Sequence, residues 1–247
     1  MRRTILLLAL AIAGVLLASC GKGAHFASSA HGAAKTHRPA PRASSRTRAL
    51  AFARAVNLTS ADVPGFTASS KHTHESAGEK QRERKMLRCA GIAGTEKGLV
   101  EQSSESFELK HGIIDLGVSS EVAVEPSAAQ AAQGLTAIRS AHVQRCFSSY
   151  LDQVFKGEKF GGASVGPVTI QSGNPPAPGA TGSFGWRVTA TFTLRGVRVP
   201  IYLDFLGFVD GPAEITLMSS GLLQPFPAEI EQKLFTLLLT RAKAHQL

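Results

Sequence analysis

A glycine-rich segment of this 247-residue chain contains the first pattern that could do chemistry. Residues 162–166 read GASVG, which matches the G-x-S-x-G nucleophile elbow, where a strained strand-to-helix turn exposes a serine. Residues 167–170, PVTI, are typical of a strand instead of the helix that an elbow requires. We therefore expect a glycine-rich turn and no catalytic residue, and a serine hydrolase that uses Ser164 remains an alternative.

Histidine residues form a second pattern, which raises the question of a metal site. His72 and His74 stand beside Glu75 in a polar segment, and paired histidines in such loops more often face solvent than bind a metal. Three further histidines recur every six residues between positions 25 and 37, a spacing that fits no compact ligand set. We expect no metal and no other cofactor.

The N-terminal segment 1–19 has the organisation of a lipoprotein signal peptide. Arg2 and Arg3 precede an apolar run, residues 5–17, that is too short to span a membrane. Residues 17–20, LASC, resemble the lipobox of bacterial lipoproteins, in which the cysteine is lipidated and the signal is removed before it. The resemblance implies that Cys20 anchors the chain to the extracytoplasmic face of the cell membrane, since two acyl chains give stable attachment.

Residues 20–48 predict a disordered basic tether between this anchor and a folded domain. They are rich in Ala, Ser and Pro, and they lack the apolar periodicity that a core needs. Eight of the 27 basic residues lie in 1–48, which contains no acidic residue, although the whole chain has a net charge of +9. Residues 49–247 are thus nearly neutral, which argues against nucleic-acid binding, and we expect them to form a single extracytoplasmic domain.

Cys89 and Cys146 are the two cysteines that remain, and an exported chain is expected to oxidise such a pair. The bond would close a loop of 57 residues, which contributes roughly 4 kcal/mol in the chain-entropy account. A redox-active pair is the alternative, but the sequence has no Cys-x-x-Cys spacing and no evident group to activate a thiol. We predict a structural disulfide.

Hydrophobic patterning predicts an α+β domain, with an antiparallel sheet of about five strands packed by helices. Two hairpins are expected, one formed by residues 104–110 and 113–124, the other by 183–194 and 197–205, with a turn at Arg195-Gly196. A further strand is expected at residues 213–218. Helices are predicted at residues 48–56, 79–90, 128–139 and 141–155, and after Pro227.

One aromatic stripe follows the strand of residues 183–194. Phe184, Trp186 and Phe192 alternate with polar residues, so their side chains share one face of the sheet. Such a stripe more often forms part of a hydrophobic core than the lining of a ligand site. The alternating sequence pattern is the same in both cases. We retain the three residues as possible ligand-lining residues.

The whole arrangement resembles actinobacterial cell-envelope lipoproteins of the LpqN type and the extracellular sensor domains of PknH-type kinases. The resemblance rests on Cys20 in its lipobox, the tether, residues 57–65 (NLTSADVPG), Cys89 with Cys146, and a late alternating sheet followed by a terminal helix. It implies a Mog1/PsbP-like or PknH-sensor-like fold and a binding role without catalysis.

We therefore expect a membrane-anchored lipoprotein that serves as a non-catalytic ligand-binding or sensor/adaptor module of the cell envelope. Its partner would be a small hydrophobic ligand or an envelope protein, and nucleic acid is not expected. An envelope lipid carrier is the alternative from the class of transport proteins.

Overall fold

A computed structural model describes residues 41–69, 77–91, 98–157, 164–245 and 247. The predicted signal peptide, Cys20, most of the predicted tether, and His72 with His74 lie outside the described residues. None of the helices in the described part is long and apolar enough to cross a membrane.

Antiparallel pairing joins all the strands of the described part into one sheet, in the order β1-β3-β4-β9-β8-β7-β5. The strands are β1 (Thr67–Ser69), β2 (Val100–Ser103), β3 (Ser106–His111), β4 (Ile114–Val124), β5 (Ser164–Val165), β6 (Thr169–Gly173), β7 (Gly182–Leu194), β8 (Val197–Asp210) and β9 (Ala213–Leu222). β2 also pairs with β4, and β6 also pairs with β7. The predicted α+β class is confirmed, but the nine strands exceed the expected five, because β1, β2, β5 and β6 are too short to show alternation.

Five α-helices of the described part pack on this sheet. They are α1 (Pro41–Val56), α2 (Ala77–Cys89), α3 (Ala128–Ile138), α4 (Ala141–Gly157) and α5 (Ala228–Ala244). α1 begins at Pro41 instead of Arg48, so helix takes up the last eight residues of the predicted tether.

Two helical layers enclose the sheet, and each has its own core. α2, α3 and α4 cover one face, which we call the aromatic face, where side chains such as Phe147, Trp186 and Phe205 are buried. α1 and α5 cover part of the opposite face, with Val122, Ile215 and Leu238 in a second core. Strands β8 and β9 contribute to both cores: Phe205 and Met218 lie in the first, and Phe208 and Ile215 in the second.

Short sequence signals account for the ends of several helices and strands. The Ser127 side chain accepts a hydrogen bond from the Gln130 backbone N–H at 3.2 Å and caps α3 at its predicted start. The β7–β8 turn places Arg195 at φ 50° and Gly196 at φ 82°, the left-handed pair that a tight hairpin needs. In α5 the residues facing the sheet include Phe235 and Leu239, whereas Ile230 near the start of the helix is 37% exposed.

The segment 57–65 acts as a clamp between α1 and α5. Arg241 of α5 donates to both carboxylate oxygens of Asp62, at 2.9 and 2.7 Å, and to the Asn57 carbonyl oxygen at 3.0 Å. Burial opposes ionisation of Asp62, but hydrogen bonds from Arg241 and Thr59 outweigh it and hold the pKa of this carboxyl below its ordinary value. These contacts give the segment a structural role.

Candidate functional site

The side chains of β7 alternate between a packed face and a partly open one. Phe184, Trp186 and Phe192, the possible ligand-lining residues, are at most 6% exposed on the aromatic face. The ring of Phe147 lies 5.1 Å from that of Trp186, and Phe155 packs edge-on against Phe192 at 5.4 Å. The structure thus places the three residues among side chains of α4.

The opposite side of β7 lines a groove of about 380 Å³, which we call the threonine groove. α1 and α5 pack over β2, β4, β8 and β9, so the outer part of this face is left open. The groove is lined by four threonines, by Arg198 and by the backbone turn after β5; the residues are Gly166, Pro167, Thr169, Thr189, Thr191, Thr193 and Arg198. It is the candidate ligand site of the described part of the chain.

The polar groups of the threonine groove are available to a ligand. Within the described residues, the hydroxyl groups of Thr189, Thr191 and Thr193 make no hydrogen bond to protein, although these residues are half-buried. Arg198, which pairs with Thr193 in the β7–β8 register, is exposed and has no acidic partner there either. Hydroxyl groups beside an unneutralised guanidinium suit a polar ligand that bears negative charge.

A charged cluster borders the groove where α5 begins to cover the sheet. Arg187 is on the same face of β7 as the groove threonines, two residues before the first of them. It donates hydrogen bonds to both carboxylate oxygens of Asp204, at 2.6 and 2.9 Å, and Asp204 is 3% exposed. The hydrogen bond to Asp204 raises the pKa of Arg187 further. Burial raises the pKa of Glu231, which accepts a hydrogen bond from Ser219 at 2.5 Å. The cluster ties α5 to the sheet and forms one end of the open face.

Ser164 would be the nucleophile in the hydrolase alternative, but its backbone position differs from that of a nucleophile-elbow serine. It is the first residue of β5 and is exposed, and its Cα partner is Thr193 of β7. After Val165 the chain continues to β6 at Thr169. A serine in extended backbone followed by another strand lacks the strand-turn-helix geometry that presents an elbow nucleophile.

A second group of polar side chains lies inside the aromatic face, on β9. Glu214 is 1% exposed and Thr216 is fully buried, and their side-chain oxygens have no hydrogen-bond partner within the described residues. Burial raises the pKa of Glu214, and the nearby Glu125 raises it further. A buried, unpaired carboxyl of this kind makes stability depend on pH.

Glu214→Gln is expected to stabilise the protein at pH 8 and to leave its stability nearly unchanged at pH 4. The raised pKa means that the folded state holds the proton better, so the contribution of Glu214 to stability is largest at low pH and is lost as the pH rises through the folded pKa. We expect the gain at pH 8 to be on the order of 1–3 kcal/mol. Denaturant unfolding across this pH range measures it, with exposed Glu229→Gln as the control. Parallel pH profiles for the wild type and Glu214→Gln would contradict the assignment.

The predicted bond between Cys89 and Cys146 is confirmed, with Cα atoms 5.8 Å apart. It connects the C-terminal end of α2 to the second turn of α4. His142, one turn before Cys146, lies beside it: its Nε2 atom is 2.7 Å from the Cys89 carbonyl oxygen and 3.8 Å from Cys146 Sγ. His142 is not among the residues predicted from the sequence, although its i, i+4 spacing to Cys146 on a predicted helix is a usable signal.

Comparisons with known proteins assign no family. No family model matches the chain, and no curated protein matches it. Among solved structures, the crystal structure of a Pseudomonas aeruginosa protein of unknown function is similar at 11% identity and a TM-score of 0.24, covering 60% of this chain and 83% of that one. At this level the similarity assigns neither a family nor a function.

Proposed function

We propose that the chain is a membrane-anchored extracytoplasmic lipoprotein that acts as a non-catalytic binding module, and that a small anionic polar ligand occupies the threonine groove. The lipobox at Cys20 supports the anchor, and the tether that follows would let the domain sample the space above the membrane. The observation that carries the binding role is the groove itself, an open cavity in a sheet whose central strands are covered on both sides.

The lining of the groove favours a polar ligand over the small hydrophobic one expected from the sequence. Three threonine hydroxyls point to one face at the spacing of alternate strand residues, about 7 Å, which suits a ligand with several hydroxyl groups. Arg198 supplies the positive charge at the rim, and a hydrogen bond to a charged group contributes about 1.5–3 kcal/mol. An acidic sugar combines both features.

The full chain is expected to bind D-glucuronate more tightly than D-glucose, because the two differ in a carboxylate that Arg198 can contact. Isothermal titration calorimetry with both sugars measures the difference. Arg198→Gln should weaken glucuronate binding about tenfold or more, and should leave glucose binding unchanged. Thr191→Val, which keeps the shape and removes the hydroxyl, should weaken binding of both sugars.

Control variants outside the threonine groove distinguish the loss of a ligand contact from a general effect of the substitution. Arg84→Gln on α2 and Thr240→Val on α5 change the same residue types at exposed positions and should bind like the wild type. If the chain binds neither glucuronate nor inorganic phosphate, the proposed ligand class is wrong. Turnover of an ester substrate that Ser164→Ala abolishes would contradict the non-catalytic role and support the hydrolase alternative.

A further inference from the structure

The disulfide and its neighbouring histidine form a group of metal-ligating residues. Cys89, His142 and Cys146 each offer one ligand atom, and these three atoms lie within 4.8 Å of one another. Within the described residues, this is the group of cysteine, histidine and acidic side chains close enough to share an ion. Cys89 and His142 are exposed, whereas Cys146 is 4% exposed, so the group opens to solvent on one side.

We propose that reduction of the Cys89–Cys146 disulfide converts this group into a Cys2His site for Zn²⁺. In the oxidised protein the two sulfur atoms are bonded to each other and cannot serve as thiolate ligands. In the reduced protein two thiolates and one imidazole provide three ligands, and a water molecule from the open side completes a tetrahedron.

The distances suit a zinc ion. Zn–S bonds of about 2.3 Å and Zn–N bonds of about 2.0–2.1 Å place a sulfur and a nitrogen ligand roughly 3.5 Å apart across a tetrahedral ion. His142 Nε2 already lies 3.8 Å from Cys146 Sγ, and the two residues are one turn apart on α4, a spacing that puts both side chains on one helix face. After reduction the two sulfur atoms must move apart to hold the ion, and rotation about the Cα–Cβ bonds of the two cysteines allows this movement.

His142 changes its partner between the two states. In the disulfide form its Nε2 atom is within hydrogen-bond distance of the Cys89 carbonyl oxygen, at 2.7 Å, which holds the ring beside the sulfur pair. Zn²⁺ binding uses the lone pair of Nε2, so this hydrogen bond is lost when the metal bond forms. The carbonyl contact thus holds the ligand in place for an ion that only the reduced protein can bind.

The reductant is a dithiol. One of its thiolates attacks the exposed Cys89 Sγ, the Cys89–Cys146 bond breaks, and its electron pair leaves on Cys146 Sγ. The second thiolate of the reductant then displaces Cys89 Sγ, so the reductant becomes a disulfide and the protein gains two electrons and two protons. Zn²⁺ binding to the two thiols releases those two protons to solvent.

The test uses the full chain with Cys20→Ser, which leaves Cys89 and Cys146 as its two cysteines. The protein is reduced with dithiothreitol, desalted without oxygen, and titrated with Zn²⁺ against a colorimetric chelator. We expect one Zn²⁺ per reduced chain and none per oxidised chain. Co²⁺ in place of Zn²⁺ should give a thiolate-to-metal charge-transfer band in the reduced protein alone.

The His142→Ala variant tests whether the imidazole is a ligand or whether the two thiols alone bind the ion. It should keep the disulfide, weaken Zn²⁺ binding to the reduced chain at least tenfold, and change the Co²⁺ spectrum. His111→Ala, an exposed histidine at the β3–β4 turn, should bind Zn²⁺ like the wild type. Equal binding by reduced wild type and His142→Ala, or equal binding by oxidised and reduced protein, would overturn the proposal.

Circular dichroism during the titration covers the case in which reduction unfolds the protein. A reduced chain that loses its helix signal and regains it with one equivalent of Zn²⁺ supports the site, because binding free energy then becomes folding free energy. A reduced chain that fails to bind Zn²⁺, whether folded or unfolded, refutes it.

Discussion

Replacing Cys89 and Cys146 together by serine is expected to lower the free energy of unfolding by about 4 kcal/mol. The bond closes a 57-residue loop that contains β2, β3, β4, α3 and the first turn of α4. Without it the unfolded chain gains conformations, while the native contacts of α2, such as those of buried Met86 and Leu87, remain. For a domain of this size, the change corresponds to a fall in Tm of roughly 8–16 °C.

Thermal and denaturant unfolding measure this effect, and chemical reduction of the wild type without metal should reproduce it. Cys20→Ser is the matched control, because it removes a cysteine outside the loop that the bond closes. A loss below about 1 kcal/mol in the double variant would mean that the unfolded chain is already restricted in this region.

Phe147→Ala is expected to cost about 3–5 kcal/mol of stability, the range for removing a buried aromatic side chain. Phe147 of α4 is fully buried, and its ring lies 5.1 Å from Trp186, 6.0 Å from Phe205 and 6.2 Å from Tyr150. Its removal takes contacts from both the strand residues and its own helix, and leaves a cavity that these large rings cannot fill by small shifts.

Gln153→Ala, at an exposed position of the same helix, should change stability by less than about 0.5 kcal/mol. Phe147→Leu should cost less than the alanine variant, because it leaves a smaller cavity. If Phe147→Ala is nearly neutral, the side chains around Trp186 are not tightly packed, and a ligand slot lined by Phe184, Trp186 and Phe192 regains support.

The long elements were predictable because their signals are local. Strict alternation over residues 183–194 and a two-residue turn at Arg195 indicate the β7–β8 hairpin, and Ser127, a good N-cap residue, indicates the start of α3. The two-residue strand β5 and the three-residue strand β1 carry too few residues to alternate. They form because a longer neighbour offers free backbone groups, which is a property of the folded sheet.

The candidate sites depended on packing that the sequence does not encode locally. The threonines of β7 are recognisable as the polar face of a strand, but the sequence does not show that the turn at Gly166 and Pro167 lies beside them and makes that face a groove. Glu214 is buried against the usual tendency of a carboxylate, since both faces of β9 are covered. His142 meets Cys89 because α2 packs against α4 in the folded domain, a contact between residues far apart in the sequence.

The short outer strands have a consequence for self-association. In the described part of the chain, one edge of the sheet carries β1 and β2 with three and four residues, and the other carries β5 and β6 with two and five. An open edge is a template on which a second copy can add a strand, and long flat edges are the ones that aggregate. If the chains are anchored as proposed, they would meet one another at high local concentration on a membrane. An edge of a few residues gives a neighbouring copy little backbone to pair with.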